Sequence, residues 1–567
     1  MHKEVWEQYN LWREEKTMPS DLKILLNEMK ESPEEIRDSF YRDLEFGTGG
    51  LRGLLGAGTN RMNLYTVGKA AQGLAEHLKK SVSGPASVAI AYDSRIKSEE
   101  FARYAAGVLA ANEIRVWIYP RLQPTPALSW AVRELKCDGG ICITASHNPA
   151  SYNGFKVYGG DGCQIRPEEV REIQAEMDCV DLFRDVGFMD FDEGIRQKRI
   201  RMIPGYILND YIERSCREGE TEPSCARLRI VYTPLNGAGR ECVMRALEKL
   251  GGIEVRVVPE QEMPDGNFPT CPCPNPENHQ ALEKGLFLCR KLHPDLLLAT
   301  DPDCDRVGAA AIEGNEWKLL TGNETGILLL NYLCLLRGKK HGGPKADVAV
   351  TTIVSTDMAD AVCKKYGVEL RRTLTGFKYI GEQIGRLEEA GEAGRYLFGF
   401  EESCGCLSGT HVRDKDGVNA VVLICRMAAY YKERGLTLWD AMKALYEEFG
   451  WYQNELLSFN FDGADGTQVM ERIMRLLRTA GPEQIGGMKV ASITDYQVGV
   501  GNLPKADVLE FRLENGGKLI IRPSGTEPKM KVYCFVRQDS REGALDAMKN
   551  LTGSASGLLL RYQKGAV

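Results

Sequence analysis

The chain has 567 residues, too many for one hydrophobic core of roughly 250 to 300 residues, so we expect about three to five domains. Hydrophobic residues make up 43% and charged residues 27%, which is typical of a folded globular protein and excludes a largely disordered one. The formal net charge of -7 argues against nucleic acid or an anionic membrane as a partner, because both require clustered positive charge.

Cysteine usage and hydropathy indicate a cytoplasmic protein. The 17 cysteines form no CxxC pair and no zinc-type Cys/His pattern, so we interpret them, including Cys304, Cys404 and Cys406, as reduced packing residues. The start of the chain, MHKEVWEQYN, lacks the apolar core of a signal peptide. The most apolar stretch, residues 326–336, is shorter than the roughly 20 residues that a membrane helix needs. We therefore expect no membrane partner.

A charged helical segment opens the chain, and alternating helices and strands follow it. Residues 1 to about 45 have helical patterning, and Ser32, Pro33 and Glu35 have the spacing of a helix N-terminus. Apolar residues then recur at helical spacing over residues 67–78, and SVAIAY (residues 87–92) is a short apolar strand. This alternation predicts an α/β fold.

The same strand-and-helix pattern recurs downstream and predicts three α/β domains in series. The predicted strands are LRIVYT (228–233), IEVRVV (253–258), DLLLAT (295–300), DVAVTTI (347–353) and RYLFGF (395–400). The pattern changes after about residue 455. There KLIIRPSGTEPKMKVYCFV (518–536) reads as two strands around a polar turn, followed by a helix from about Ser540. We expect a smaller α+β domain at this end.

Three polar clusters follow predicted strands directly: TASHNP, DPDCDR and EESCG. In open α/β sheets, ligands bind beyond the carboxyl ends of the strands. We therefore expect each cluster to contribute to a common cleft.

The cluster DPDCDRVG (residues 301–308) carries Asp301, Asp303 and Asp305 at alternating positions. Carboxylate oxygens at this density favour a hard cation such as Mg²⁺, Ca²⁺ or Mn²⁺. An EF-hand loop does not fit, because Arg306 stands where that loop needs Gly and Ile312 where it needs Glu. Only three protein ligands leave open positions, as expected for Mg²⁺ that is completed by phosphate and water.

The cluster TASHNP (residues 144–149) places Ser146 at a strand end, where it is a candidate nucleophile. The GxSxG setting of a hydrolase elbow is missing, which disfavours acyl transfer. With a cation site elsewhere in the chain, a phosphorylated Ser146 is the better hypothesis. Its phosphate would add roughly two negative charges, which a metal and basic residues must hold. The nearest basic candidates in sequence are His147, Lys156 and Arg306.

Two further segments have the composition of phosphate-binding loops. FGTGGLRG (residues 46–53) offers backbone donors and the guanidinium of Arg52, although it is neither a Walker A loop nor a GxGxxG motif. RPSGTEPK (522–529) places a guanidinium, a hydroxyl, backbone amides and an ammonium around one turn, the parts of a phosphate cradle. These groups belong to Arg522, Ser524, Gly525, Thr526 and Lys529.

Nine motifs, taken in chain order, resemble the α-D-phosphohexomutase superfamily. They are FGTGGLRG, YDSR (92–95), TASHNP, NGFKVY (153–158), YTPLNGAG (232–239), DPDCDR, TGFKYI (375–380), GFEESCG (399–405) and RPSGTEPK. The similarity spans about residues 40 to 540. It implies four domains around a deep central cleft, three of them α/β with mixed sheets and the last α+β. The expected bounds are 1–200, 201–315, 316–455 and 456–567.

The resemblance also implies roles for single residues. Ser146 would carry the phosphoryl group, and its phosphate would bind Mg²⁺ together with Asp301, Asp303 and Asp305. Arg52, His147 and Lys156 would surround the transferring group, with the general acid/base among them left open. The implied substrate-binding residues are Arg306, Lys378, Glu401, Ser403, Arg522, Ser524, Gly525, Thr526 and Lys529.

The implied activity is that of an isomerase that works by phosphoryl transfer. The phosphoserine would convert a sugar monophosphate to a bisphosphate, which turns around and returns its other phosphate to Ser146. GFEES resembles the glucose-type loop, so we expect glucose 1-phosphate and glucose 6-phosphate as substrates, with glucose 1,6-bisphosphate as intermediate and activator. GAGTNRMN (56–63) and the amino-terminal extension resemble a branch that includes phosphopentomutases. A pentose phosphate mutase is therefore the first alternative, and a mannose phosphate mutase the second.

Two other functional classes share some of these residues. A magnesium phosphatase would use the same serine and aspartates, but it has little use for the second phosphate site at RPSGTEPK. A sugar-phosphate sensor would not need Ser146, His147 and three aspartates together. We therefore expect an enzyme whose partner is a small sugar phosphate.

Overall fold

A computed structural model describes residues 2–47, 49–217, 226–338, 345–461, 466–524 and 529–563. The chain divides into two compact units. The first unit consists of residues 1–319, 381–393 and 405–430. The second consists of residues 320–380, 394–404 and 431–567.

Three helices precede the first sheet, as predicted. They are α1 (His2–Glu14), α2 (Ser20–Glu28) and α3 (Pro33–Phe40), with a 3-10 turn at Met29–Glu31. The side chain of Ser32 accepts a hydrogen bond from the backbone N–H of Glu35 at 3.3 Å, and Pro33 is the first helical residue. This arrangement caps α3, since the first turn of a helix has free N–H donors.

An aromatic cluster packs these helices onto the rest of the first unit. The indole of Trp12 is fully buried and makes edge contacts with Phe40, Tyr65 and Phe183 at centroid distances of 5.6, 5.4 and 5.6 Å. Two of these partners lie beyond the helical segment in sequence. The segment is therefore part of the first unit's core and not a separate appendage.

The first sheet is mixed. Its strands are β1 (Gly50–Leu54), β2 (Ser87–Tyr92), β3 (Arg115–Ile118), β4 (Gly139–Ile143), β5 (Tyr152–Gly159) and β6 (Ile200–Met202), in the order β1-β5-β4-β2-β3-β6. Strands β4, β2, β3 and β6 are parallel, whereas β5 is antiparallel to both β4 and β1. Its helices are α4 (Leu64–Ser81), α5 (Ser98–Ala111), α6 (Thr125–Glu134), α7 (Pro167–Asp178) and α8 (Phe191–Arg196).

The second sheet is also mixed and follows the first along the chain. Its strands are β7 (Leu228–Thr233), β8 (Ile253–Val257), β9 (Leu296–Thr300), β10 (Val307–Glu313) and β11 (Glu316–Leu320), in the order β11-β10-β9-β7-β8. Strands β8, β7 and β9 are parallel, and β10 returns antiparallel to β9. Its helices are α9 (Gly205–Arg217), α10 (Gly239–Leu250), α11 (Pro259–Glu262) and α12 (His279–Leu292). The cluster DPDCDR is therefore the turn between β9 and β10.

The third sheet contains parallel strands of the second unit. These are β12 (Val348–Thr352), β13 (Glu369–Thr373) and β14 (Tyr396–Phe400), in the order β13-β12-β14, and the short strand β15 (Cys406–Leu407) comes next in the chain. The helices of this part are α13 (Gly322–Arg337), α14 (Met358–Tyr366), α15 (Phe377–Glu389), α16 (Gly417–Lys432) and α17 (Leu438–Phe449), with a 3-10 turn at Ala393–Arg395. Within the described chain, no helix combines the length and the apolar character that crossing a membrane requires.

The fourth sheet is antiparallel, as expected for an α+β domain. Its strands are β16 (Trp451–Asn460), β17 (Gln484–Ile485), β18 (Met488–Asp495), β19 (Leu509–Leu513), β20 (Lys518–Pro523) and β21 (Lys529–Gln538), in the order β16-β21-β20-β19-β18-β17. Its helices are α18 (Gly466–Thr479) and α19 (Arg541–Gln563). The described residues of RPSGTEPK are the last two of β20, Ser524 and the first of β21.

Strand β20 is tied to the segment before α14 by an ion pair of a buried lysine. The ammonium of Lys518, on β20, lies 2.7 Å from Oδ1 of Asp357, which precedes α14. The same ammonium lies 4.2 Å from the ring centroid of Phe535, which belongs to an apolar cluster that also contains Ile353. Strand β20 is therefore anchored within the second unit.

The domain bounds expected from the sequence stay a prediction. The observed strands show that the second sheet ends later, and the fourth sheet begins earlier, than those bounds. Strand β11 belongs to the second sheet, which therefore extends past residue 315. Strand β16 belongs to the fourth sheet, which therefore begins before residue 456. Both are edge strands with partly exposed side chains, so neither has the continuous apolar run that marks a buried strand.

Replacing Trp12 by Ala should lower the free energy of unfolding of the first unit by about 3–5 kcal/mol, because the change leaves a cavity among three aromatic rings. Trp6→Ala is the matched control. Trp6 lies on the same helix but is 38% exposed, so its loss should cost about 1 kcal/mol or less. Chemical denaturation of both variants measures the difference, and equal costs would contradict the buried role of Trp12.

Candidate active site

Two polar loops meet in the first unit. Ser146 follows the buried strand β4, and Asp301 follows the buried strand β9. The hydroxyl Oγ of Ser146 donates a hydrogen bond to Oδ2 of Asp301 at 2.7 Å, although 155 positions separate the two residues. The candidate nucleophile thus contacts the acidic cluster directly.

The backbone of Ser146 adopts a left-handed conformation with φ of 51°. Non-glycine residues rarely occupy this region, and they do so mainly where the surrounding structure holds them there. The N–H of Ser146 donates to Oγ1 of Thr144 at 2.8 Å, and that hydroxyl donates to Oδ2 of the buried Asp93 at 2.6 Å. Hydrogen bonds within the first sheet therefore set the orientation of the serine.

The buried side chain of Arg95 binds the backbone of the serine loop. Its fully buried guanidinium donates to the backbone carbonyl oxygens of four loop residues, Ser146, Asn148, Pro149 and Tyr152. Its Nε lies 3.4 Å from a carboxylate oxygen of Asp93, and its guanidinium carbon lies 5.1 Å from the ring centroid of Phe268. One planar cation thereby binds four backbone carbonyls of the serine loop at once.

Protein donors also hold the carboxylates of Asp301 and Asp303 in place. Oδ1 of Asp301 accepts the backbone N–H groups of Asp305 and Arg306 at 3.1 and 3.0 Å. Oδ2 of Asp303 accepts the hydroxyl of Thr125 at 2.9 Å and the ammonium of Lys156 at 2.7 Å. These contacts fix the rotamers of the two side chains.

The three aspartates fit a cation site. One ligand oxygen from each of Asp301, Asp303 and Asp305 lies within 4.8 Å of the others, and the three residues are at most 2% exposed. Among the described residues, Oδ1 of Asp303 and Oδ1 of Asp305 are buried and accept no hydrogen bond. Buried anionic oxygens without donors are costly unless a cation compensates them. Oxygen-only donors of this kind suit a hard divalent ion.

Charge coupling in the cluster shows how strongly the carboxylates interact. Burial and the neighbouring charges of Asp303 and Asp305 raise the pKa of Asp301 well above its usual value. Burial acts to raise the pKa of Asp303, but the charge of Lys156 and the hydrogen bonds from Asp301, Lys156 and Thr125 together lower it. Burial alone would lower the pKa of Lys156, yet Asp303 and Asp305 raise it. Lys156 therefore stays charged.

Three further predicted residues lie around Ser146. Nδ1 of His147 is 3.3 Å from the serine Oγ, and desolvation together with the Arg306 and Arg52 guanidinium groups holds the pKa of His147 well below its usual value. Arg52, on β1, donates to Oδ1 of Asn148 in the serine loop at 3.1 Å. The guanidinium of Arg306 donates to Glu277 at 3.1 Å. The structure thus brings Arg52, His147, Lys156 and Arg306 to one site.

The predicted sugar-binding residues lie in the second unit. Glu401 follows β14, and its Oε1 accepts the backbone N–H of Gly376 at 2.9 Å, which joins the GFEESCG loop to the TGFKYI loop. Lys378 of the TGFKYI loop is buried, with its ammonium 5.5 Å from the ring centroid of Tyr379. Ser403 is half-buried in the same loop as Glu401. These residues form a polar group at the carboxyl end of the third sheet.

The predicted phosphate cradle is partly described. Arg522 lies on β20, and the N–H of Ser524 donates to the carbonyl of Lys529 at 2.7 Å, which closes the hairpin between β20 and β21. Gly525 and Thr526 lie outside the described residues. Arg522, Ser524 and Lys529 therefore lie where β20 and β21 pair, and their role in binding phosphate stays a prediction.

Sequence reasoning missed three residues that contact the site: Arg95, Thr125 and Lys415. Arg95 is the last residue of YDSR, a motif that was recognised in the sequence without a role for its arginine. Thr125 begins α6 and has no motif of its own. The ammonium of Lys415 lies 3.1 Å from Oδ2 of Asp305, although 110 positions separate them in sequence. Tertiary contacts of this length leave no local pattern.

Comparison with known proteins identifies the family. A family described as phosphoglucomutase/phosphomannomutase matches with its alpha/beta/alpha domains I, II and III at residues 43–182, 209–314 and 321–449. The phosphoglucomutase of Staphylococcus epidermidis is 36% identical over 524 residues, which cover 90% of this chain and 93% of that protein. The chain belongs to the phosphoglucomutase/phosphomannomutase family. The predicted resemblance to the α-D-phosphohexomutases and the predicted fold class are confirmed.

Solved structures share the fold of this family member. Parafusin from Paramecium, a phosphoglucomutase solved in its open form, superposes with a TM-score of 0.67 at 17% identity, covering 92% of this chain and 96% of that one. The N-acetylphosphoglucosamine mutase of Aspergillus fumigatus, solved with GlcNAc-6P and magnesium, gives 0.53 at 14% identity over 91% and 96% of the two chains. Family membership makes this chain an isomerase that acts by phosphoryl transfer.

Replacing Arg95 by Lys should lower kcat about 100-fold, because one ammonium cannot hold four carbonyls and a displacement of the serine by about 1 Å is this costly. KM should change little, since Arg95 is buried beneath the loop. Steady-state kinetics with glucose 1-phosphate measure both values. Arg103→Lys, on the exposed side of α5, is the control. Unchanged kcat in a folded Arg95→Lys variant would contradict the role of the clamp.

Proposed function

We propose that this chain interconverts glucose 1-phosphate and glucose 6-phosphate in the cytoplasm, through phosphorylated Ser146 and a glucose 1,6-bisphosphate intermediate. The observation that carries the proposal is the 2.7 Å hydrogen bond from Ser146 Oγ to Asp301 Oδ2. It places the nucleophile against a buried carboxylate cluster that fits a divalent cation. Relatives named phosphoglucomutase favour glucose over mannose or a pentose.

Mg²⁺ is the proposed metal, held by Asp301, Asp303, Asp305 and an oxygen of the phosphate on Ser146. When bound, it would neutralise negative charge on the transferring phosphoryl group. Two oxygens that accept no hydrogen bond from the described residues, Oδ1 of Asp303 and Oδ1 of Asp305, support this assignment.

In the proposed first half-reaction, the bond between phosphorus and Ser146 Oγ breaks as a bond forms between phosphorus and the free hydroxyl oxygen of the sugar monophosphate. The sugar hydroxyl gives up its proton to a basic group of the site, and Ser146 Oγ takes up a proton as the phosphoryl group leaves. His147 is the proposed proton partner of Ser146, because its Nδ1 lies 3.3 Å from Ser146 Oγ. Arg52 and Lys156 would bind the phosphoryl oxygens, since both carry positive charge beside the serine loop.

In the second half-reaction the bisphosphate has turned around, and its other phosphate returns to Ser146. The same bonds break and form in reverse, Ser146 gives up its hydroxyl proton and the released sugar oxygen takes one up, so no phosphate is consumed. Water would instead release inorganic phosphate and leave an unphosphorylated serine. The reaction therefore depends on holding the intermediate until it has reoriented.

The second unit would supply recognition. Glu401 and Ser403 are the proposed partners of two sugar hydroxyls, and Lys378 and Arg306 would bind nearby substrate oxygens. The phosphate that is not reacting would bind to the turn after β20, through Arg522, Ser524, Gly525, Thr526 and Lys529. The closure of that turn by the hydrogen bond from Ser524 to Lys529 supports this assignment, because it groups the cationic side chains around one loop.

Ser146→Ala should abolish mutase activity, because no other group in the mechanism can carry the phosphoryl group. A coupled assay with Mg²⁺ and a trace of glucose 1,6-bisphosphate should give the wild-type chain its highest kcat/KM with glucose 1-phosphate, compared with mannose 1-phosphate and ribose 1-phosphate. Ser151→Ala, at an exposed serine of the same loop, is the control and should keep full activity. Preference for ribose 1-phosphate would overturn the glucose assignment and leave the phosphoserine intact. Steady release of inorganic phosphate would overturn the mutase assignment.

Removal of divalent metal by a chelator should abolish activity, and excess Mg²⁺ should restore it. Asp303→Asn should lower kcat at least about 100-fold, because the neutral side chain no longer compensates a bound cation. Asp178→Asn, at the exposed end of α7, serves as the matched control. Full activity in metal-free buffer would contradict the proposed role of the aspartates.

A further inference from the structure

One cation of the acidic cluster has no place in the proposed mechanism. The ammonium of Lys415 lies 3.1 Å from Oδ2 of Asp305, and its side chain is only 12% exposed. Asp303 has the same arrangement, since protein donors hold its Oδ2 and leave its Oδ1 without a hydrogen bond from the described residues. Lys415 holds the third carboxylate, that of Asp305, and leaves its Oδ1 without a hydrogen-bond donor among the described residues.

Lys415 is itself fixed from two sides. Its ammonium lies 3.0 Å from Oδ1 of Asp414, and Oδ2 of Asp414 accepts the hydroxyl of Tyr158, on β5, at 2.8 Å. Both Asp414 and Tyr158 are buried. The ammonium therefore bridges two buried carboxylates, Asp305 and Asp414, and compensates part of their charge.

The aliphatic stem of Lys415 packs against Gly405. A Cβ atom built on Gly405 would lie 2.1 Å from Cδ of Lys415, so only a residue without a side chain leaves room for the stem. Gly405 forms an isolated antiparallel bridge with Arg306, which directly follows Asp305. The residue that packs against the stem is thus itself paired with the residue that follows Asp305.

We infer that Lys415 is a positioning residue of the metal site, which holds Asp305 through Oδ2 so that Oδ1 remains for the cation. This inference rests on the proposed function only in taking the three aspartates as the cation ligands. Partners that orient metal ligands in this way commonly contribute about 10- to 100-fold to metal affinity. Lys156 cannot replace Lys415, because it is 3.7 Å from Asp305 and is already bonded to Asp303 at 2.7 Å.

Lys415→Met should raise the dissociation constant of Mg²⁺ at least about tenfold, because the apolar side chain leaves Asp305 and Asp414 without their shared cation. Calorimetric titration of the full-length chain with MgCl₂, and the electron paramagnetic resonance signal of Mn²⁺, measure metal binding without any sugar. Lys249→Met, at an exposed position on α10, is the control and should bind metal as the wild type does. Lys415→Arg retains the charge and should lose less affinity than Lys415→Met.

Gly405→Ala tests the same inference without changing any charge. Its new methyl group should displace the Lys415 stem and raise the dissociation constant of Mg²⁺ severalfold, while the melting temperature stays close to that of the wild type. This variant keeps the inference testable if Lys415→Met fails to fold.

The outcomes separate this inference from the proposed function. Wild-type affinity for Mg²⁺ in folded Lys415→Met or Gly405→Ala would overturn the positioning role, whichever sugar the enzyme prefers. Absence of Mg²⁺ binding in the wild-type chain would instead overturn the proposed metal site. Weakened metal binding in both variants, with normal binding in Lys249→Met, is the result that we expect.

Discussion

The burial of three carboxylates within 4.8 Å of one another is the constraint on which the first unit depends. Such a cluster is unfavourable unless positive charge and hydrogen-bond donors surround it. The protein supplies two ammonium groups, a threonine hydroxyl and two backbone amides, each directed at one oxygen of a carboxylate. Oδ1 of Asp303 and Oδ1 of Asp305 accept no hydrogen bond from the described residues, and a divalent cation would compensate their charge. Ser146 joins the cluster through its hydrogen bond to Asp301.

Sheet topology brings these groups together. Strands β4 and β9 are buried parallel strands of two different sheets, and the serine loop and the acidic turn follow their carboxyl ends. Strand β5 returns antiparallel between β4 and β1, so that Lys156 pairs with Cys142 on one side and Gly50 on the other. This insertion places Lys156 and Arg52 beside the serine loop. The arrangement explains why FGTGGLRG, TASHNP and NGFKVY, which are separate in sequence, lie around Ser146.

Chemistry and recognition are divided between different parts of the chain. The serine, the aspartates and the basic residues around them belong to the first unit, and their positions are set by buried hydrogen bonds. The loops proposed for sugar hydroxyls and for the second phosphate belong to the second unit. There, Glu401 is held by the Gly376 amide, and β20 is anchored by the pair of Lys518 and Asp357. A mutase that turns its intermediate around needs one rigid centre for transfer, together with a separate set of groups that accepts either phosphate.

The sequence by itself determined the α/β class, the buried strands and the short polar motifs that are candidates for the chemistry. The mainly apolar run LRIVYT matched β7 residue for residue, because every residue of this parallel strand except Arg229 is buried. The edge strands β11 and β16 were not predicted accurately, since their partly exposed side chains interrupt the apolar pattern that marks a buried strand. The acidic turn and the serine loop could be recognised in the sequence because metal and phosphate chemistry requires particular residue types at short spacing. Only the tertiary structure revealed Arg95, Thr125 and Lys415 as partners of that chemistry, because each acts on a residue at least 50 positions away, where no local spacing records the contact.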